Sequence, residues 1–142
     1  MDRIRIEVSA KANPTEDREK VGRAVANLFP EVRLREEDLG DGSALLRGSS
    51  EGLKALECLK SLIGAERIRS AARAILSSSA ASGDSLEFHL NKQAAFAGRV
   101  SFSQSSGESP LGPISVRVEC EDPHGLIEWL TGPAAKGQGP LG

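Results

Sequence analysis

Two segments near opposite ends of the chain alternate strictly between apolar and polar side chains, and this constrains the fold more than any other feature. Ile4, Ile6, Val8 and Ala10 alternate with Arg5, Glu7 and Ser9; Ile114, Val116, Val118 and Cys120 alternate with Ser115, Arg117 and Glu119. A period of two means a strand with one face buried and the other in water. Between them, helical and strand-like segments follow one another without βαβ alternation. The expected order is β-α-β-β-α-α-β-β-β-α. This is an α+β fold, a mostly antiparallel sheet with helices packed on one face.

The first helix is expected to start at Asn13-Pro14-Thr15-Glu16. Asn13 reads as N-cap, Pro14 as the first helical residue and Glu16 as the closing member of a capping box. Val21, Ala24, Val25 and Leu28 form its apolar stripe, and Pro30 ends it. A hairpin follows, with Glu31–Leu39 and Ala44–Arg47 as its arms and Asp41-Gly42 as its turn. Ser49 and Ser50 are read as caps of a second helix running to Ile63, which Gly64 breaks. A third helix over Glu66–Ser77 stacks Arg69 and Arg73 along one flank and sets Arg67 on its outer side. Ser77–Gly83 reads as a connector without period. Leu86–Leu90 and Arg99–Phe102 read as strands joined by the connection 91–98, Ser103–Pro113 as a polar loop, and Asp122-Pro123 as the start of a last helix to Leu130. Residues 1–130 are thus expected to form a single α+β domain, and 131–142 a flexible Gly/Pro-rich tail.

At 142 residues, with 39% apolar and 27% charged side chains, the chain is long enough to bury one core without staples. No apolar run approaches a membrane span, and residues 1–10 lack the hydrophobic core of a signal peptide, so a cytoplasmic location is expected. The 2 cysteines, Cys58 and Cys120, have no metal-ligand spacing and are read as small part-buried hydrophobes. Neither GxGxxG nor the Walker-type GxxxxGK[ST] occurs, and no small-molecule cofactor is expected. His89 and His124 lack an evident nucleophile or metal partner, and the acidic runs Glu36-Glu37-Asp38 and Glu119–Asp122 read as solvated faces.

The net charge of −2 does not mark a dedicated nucleic-acid binder, but its distribution is uneven. Six basic residues face three acidic ones between 58 and 103, whereas two face five from 104 onward. Arg67, Arg69 and Arg73 are the candidate phosphate contacts on the third helix. Asn91, Lys92, Gln93 and Arg99 supply amides and cations of the type that reads RNA. With 4 Phe, 1 Trp and no Tyr, a platform of several exposed rings is not expected.

The segments HLNKQAAFAGRVSF (His89–Phe102), SPLGPISVRVE (Ser109–Glu119), VSAKANPTEDREKVGRAVANLFP (Val8–Pro30) and GLIEWL (Gly125–Leu130) carry a resemblance. Together they resemble a small archaeal family of uncharacterised proteins described as RNA-binding. The resemblance implies a fold similar to that of the ribosomal protein that contacts 5S ribosomal RNA, and it implies a homodimer. It brings no catalytic residue, while its blocks map onto Asn91, Lys92, Gln93, Arg99 and Arg73. Three readings follow: a non-enzymatic RNA-associated domain using the helix arginines and the KQAA segment; a homodimeric protein-interaction module without nucleic acid; and, as the weakest, an enzyme built on His89.

Overall fold

A computed structural model describes residues 4–80, 83–103 and 112–132. The chain runs β1 (Ile4–Ala12), α1 (Arg18–Leu28), β2 (Arg35–Asp38), β3 (Ala44–Glu51), a 3-10 turn (Leu53–Leu56), α2 (Glu57–Ala65) and α3 (Arg69–Ser79). It continues through β4 (Ser85–Leu90), α4 (Lys92–Phe96), β5 (Phe102–Ser103), β6 (Ile114–Cys120) and α5 (Pro123–Thr131). The strands form one six-stranded sheet in the order β2-β3-β1-β6-β4-β5. Every pairing is antiparallel.

The two alternating segments become the paired centre of this sheet, with Ile4 opposite Cys120, Val8 opposite Val116 and Ala10 opposite Ile114. Their even-numbered side chains are buried against α1, α2, α3 and α5, among Leu28, Leu59, Ile63, Leu76, Leu126 and Leu130. The odd-numbered side chains face the other way and are polar. Antiparallel sheets tolerate such division, because one face packs and the other stays in water.

Several boundaries differ from the sequence expectations. The Asn13–Glu16 pair does form, with Glu16 Oε1 accepting from the Asn13 backbone N–H at 2.9 Å and from Nδ2 at 2.8 Å. It closes a turn rather than a helix start. Asp17 is the N-cap of α1, accepting from the Glu19 N–H at 2.9 Å. Ser49 and Ser50 lie in β3, because pairing with β1 continues to Arg5 opposite Glu51. Gly52, at φ +93°, then turns the chain into α2. The third helix begins at Arg69 instead of Glu66; Arg67 sits at φ +60° in the turn before it, which breaks the helical path. Ser77–Ser79 belong to α3.

The connection 91–98 holds an unexpected helix, α4, capped by Asn91. The order is therefore β-α-β-β-α-α-β-α-β-β-α, with the 3-10 turn between β3 and α2. The hairpin pairs only Arg35–Asp38 with Ala44–Arg47, and β5 shrinks to Phe102–Ser103. Thr131 ends α5, buried, with its Oγ1 donating to the Ile127 carbonyl at 2.7 Å. Most of the expected loop (104–111), part of the connector (81–82) and the tail beyond Gly132 lie outside the described residues.

Candidate nucleic-acid interface

The open face of the sheet is a register of polar side chains. One transverse row crosses all six strands: Arg35 opposite Arg47, Arg47 opposite Ser9, Ser9 opposite Ser115, Ser115 opposite His89, and His89 opposite Ser103. No carboxylate interrupts it. The neighbouring row, Ser49-Glu7-Arg117-Glu87, carries two. Within the acid-free row His89 Nδ1 lies 3.1 Å from Ser115 Oγ. Ser103 Oγ is buried and has no hydrogen-bond partner among the described residues.

A groove of about 920 Å³ runs over this face. Arg5, Arg33, Arg35, Arg47 and Arg117 line it, against the carboxylates of Glu7 and Glu87. Arg117 is paired, with Glu87 at 3.2 Å and Glu119 at 3.6 Å; Arg5 reaches Glu7 at 3.5 Å. Arg47 meets Glu37 at 3.9 Å, both side chains well exposed. Exposed pairs of this kind contribute at most about 1 kcal/mol. Arg33 and Arg35 make no ion pair among the described residues. The β2 end of the groove thus carries unneutralised positive charge.

The residues singled out in the sequence separate into three places. Asn91 caps α4, its side chain accepting from the Ala94 N–H at 2.9 Å. Lys92 is 8% exposed, pairs with Glu16 at 2.9 Å and donates to the Lys11 carbonyl. It binds α4 to the β1–α1 junction. Gln93 points outward from the first turn of α4. Burial pushes the Glu16 carboxyl pKa up, but hydrogen bonds from Asn13 and Lys92, with the Lys92 charge, pull it below the ordinary glutamate value.

Arg69 and Arg73 do lie on α3, where the Arg69 guanidinium packs by Gly64 of α2 and Arg73 reaches the C-terminus of α5. Arg73 Nε donates to Thr131 Oγ1 at 3.1 Å. Lys60, from α2, donates to the carbonyls of Trp129 and Gly132 and stands 5.2 Å from the Trp129 ring centre. These cations meet the negative end of the α5 dipole, a sufficient structural reason for positive charge there. Burial and then the nearby Arg69 charge lower the Lys60 pKa. Arg99 is drawn to a third place by Glu66, which accepts from the Val100 N–H at 2.9 Å and lies 3.9 Å from Arg99 Nε, and Arg67 follows Glu66 in the turn before α3. Both arginines are exposed.

The groove arginines and serines escaped the sequence reading because they come from four strands far apart in the chain. The available signal was the polar half of each alternation, which lies opposite the core by construction. The remaining chemistry is modest. His89 and Ser115 form two members of a nucleophilic arrangement, yet no third group hydrogen-bonds the imidazole among the described residues. Among those residues no group of three or more His, Cys, Asp or Glu side chains could hold a metal ion. Cys58 and Cys120 are free thiols whose pKa burial raises. Glu36 pairs with Arg18 at 2.8 Å and Asp122 caps α5, so members of both acidic runs are engaged structurally. No helix among the described residues is long and apolar enough to cross a membrane.

A family model described as "RNA binding" matches residues 5–120, which include the whole open face of β1, β2, β3, β4 and β6. The chain is 41% identical to a UPF0201 protein of Aeropyrum pernix over 136 residues, 96% of this chain and 90% of that one. It is 43% identical to a UPF0201 protein of Sulfurisphaera tokodaii over 137 residues, 96% of this chain and 92% of that one. The crystal structure of a UPF0201 protein from Methanococcus jannaschii superposes with a TM-score of 0.81 at 32% identity, covering 94% of this chain and 96% of that one. A fold that superposes over nearly its full length, with this level of identity, places the chain in the UPF0201 family of archaeal proteins, whose model is described as RNA binding.

Proposed function

We propose that the chain is a non-enzymatic RNA-binding protein that holds RNA phosphates on the open face of its sheet. The groove carries this reading: five arginines face two carboxylates, and Arg33 and Arg35 are unneutralised. Phosphate contacts supply most sequence-independent affinity, and guanidinium groups match phosphate geometry. The overall charge of −2 is no obstacle, since local potential governs encounter. Arg67, Gln93 and Arg99 are exposed and belong to the proposal as flanking contacts, while Asn91 and Lys92 support α4. A homodimer and likeness to the ribosomal protein of 5S ribosomal RNA rest on the family resemblance, and a cytoplasmic location goes with the RNA-binding reading; sedimentation of the full chain tests the dimer.

Filter binding of a structured RNA across a salt series tests the site. Arg35→Ala/Arg47→Ala should lower the slope of log K against log salt by about 2, because each phosphate contact contributes about 0.9. Arg69→Ala/Arg73→Ala should leave the slope unchanged. Absence of binding at low salt, or loss confined to the second pair, overturns the reading.

A further inference from the structure

The same face also indicates which form of RNA fits it, an inference that rests on the RNA-binding reading above. The four Phe rings and the Trp ring of the chain all lie elsewhere. Phe29 and Phe88 are buried in the core, and Phe102 packs against Phe88 with ring centres 5.9 Å apart. Phe96 is on α4 and Trp129 on α5 under Lys60. None lines the groove. Proteins that read unstacked bases from a sheet do so by stacking them on exposed rings. The groove holds no Phe, Tyr or Trp ring, and its one imidazole, His89, lies 3.1 Å from Ser115 Oγ within the hydroxyl row.

What it does offer is a line of hydrogen-bonding side chains at fixed spacing. Arg35, Arg47, Ser9, Ser115 and His89 belong to five adjacent strands. Four strand intervals of about 4.8 Å make the row about 19 Å long. Guanidinium groups occupy its β2 end and hydroxyls its centre. Ser9 and Ser115 are directly opposite one another at the middle of the sheet, partly exposed. Double-helical RNA is recognised through phosphates and 2′-hydroxyls across its wide, shallow minor groove, largely without regard to sequence. A hydroxyl both donates to and accepts from a ribose 2′-OH, and the arginines match the phosphates that flank it.

We propose that the row Arg35-Arg47-Ser9-Ser115-His89 seats the sugar-phosphate backbone of double-helical RNA and does not read unstacked bases. Fluorescence anisotropy of the full chain against three labelled probes tests this: an RNA hairpin of about 16 base pairs, the size spanned by a duplex-RNA module, a non-pairing RNA strand of equal charge, and the DNA hairpin of the same sequence. The RNA hairpin should bind about tenfold tighter than the single strand, and tighter than the DNA hairpin. Ser9→Ala/Ser115→Ala should reduce the RNA-to-DNA preference at least threefold, without moving the melting temperature by more than a degree or so, because both side chains are on the solvent face. Equal or tighter binding of the single strand overturns the inference while leaving the RNA-binding reading standing. So does an RNA-to-DNA ratio that the serine changes do not alter. Failure of all three probes to bind, or binding indifferent to Arg35→Ala/Arg47→Ala, removes the underlying reading as well.

Discussion

Arg35 and Arg47 stand directly opposite each other on neighbouring antiparallel strands, and among the described residues Glu37, 3.9 Å from Arg47, is the one carboxylate paired with either. Like charges in this position oppose strand pairing. The sheet edge accepts the repulsion without an internal counterion for Arg35, as expected of a surface whose counterion is a ligand. Stability and binding should therefore respond in opposite directions when one of these charges is removed.

Arg35→Gln keeps a polar side chain and removes the charge and its repulsion. Thermal denaturation at low ionic strength should show a gain of about 0.5 kcal/mol. The gain should fade in about 1 M salt, where the screening length falls to about 3 Å. The same variant should bind RNA more weakly. An Arg35→Gln protein that is less stable at low salt would show that the two guanidinium groups do not repel.

Lys92 behaves as a structural cation. With its side chain 8% exposed and that of Glu16 12% exposed, removal of either leaves a buried charge without its partner. Lys92→Met should cost about 3 kcal/mol in chemical denaturation, the low end for a broken buried pair. RNA affinity of the folded fraction, measured well below the melting temperature, should stay within about twofold of wild type, because Lys92 contacts β1 and the turn before α1 and does not line the groove. A selective loss of binding with stability intact would return Lys92 to the interface.

Legibility of the sequence divided along the two faces of the sheet. The apolar halves of β1 and β6, the stripe of α1 and the hairpin turn at Asp41-Gly42 were readable because burial follows a simple period. Local caps were harder. Asn13 and Glu16 formed the expected pair in the wrong element, since Lys92, distant in sequence, also claims the Glu16 carboxylate. α4 was missed because a five-residue helix has no periodic stripe of its own, only its Asn91 cap. The groove was illegible for another reason. Arg35 and Arg47 are separated by a turn, and Ser9 and Ser115 by most of the chain, so their proximity exists only once strand order is known.

Glu16 also predicts an acid limb in the stability curve. Its folded pKa lies below the ordinary glutamate value, so the native state holds the charged form more strongly than the unfolded chain does. The resulting stabilisation is complete above the unfolded pKa and is lost as pH falls through the folded one. Glu16→Gln should be destabilised relative to wild type at neutral pH, and the gap should close in acid. Urea midpoints between roughly pH 7 and pH 2.5, spanning the usual glutamate range, measure it. A gap that widens on acidification would contradict the assignment.

Gly48 links the fold to the proposed interface. A Cβ built there meets the Arg33 carbonyl oxygen at 2.1 Å and its carbon at 2.9 Å, both backbone atoms that no rotamer change can move aside. The segment preceding β2 therefore crosses β3 in contact with its backbone, and this crossing places Arg33 and Arg35 at the groove. Gly48→Ala must push that segment outward or break the local pairing, at about 1–3 kcal/mol for overpacking at a close approach. Gly22→Ala is the matched control: it also adds a methyl, with its nearest contact at 3.5 Å to the Leu46 side chain, and lies inside α1, where alanine is favoured. Gly48→Ala should lose both melting temperature and RNA affinity, and the affinity loss should persist at temperatures where the variant is fully folded. Gly22→Ala should keep both. If folded Gly48→Ala binds RNA as wild type does, the position of Arg33 and Arg35 does not set the affinity, and the phosphate seat must lie elsewhere on the molecule.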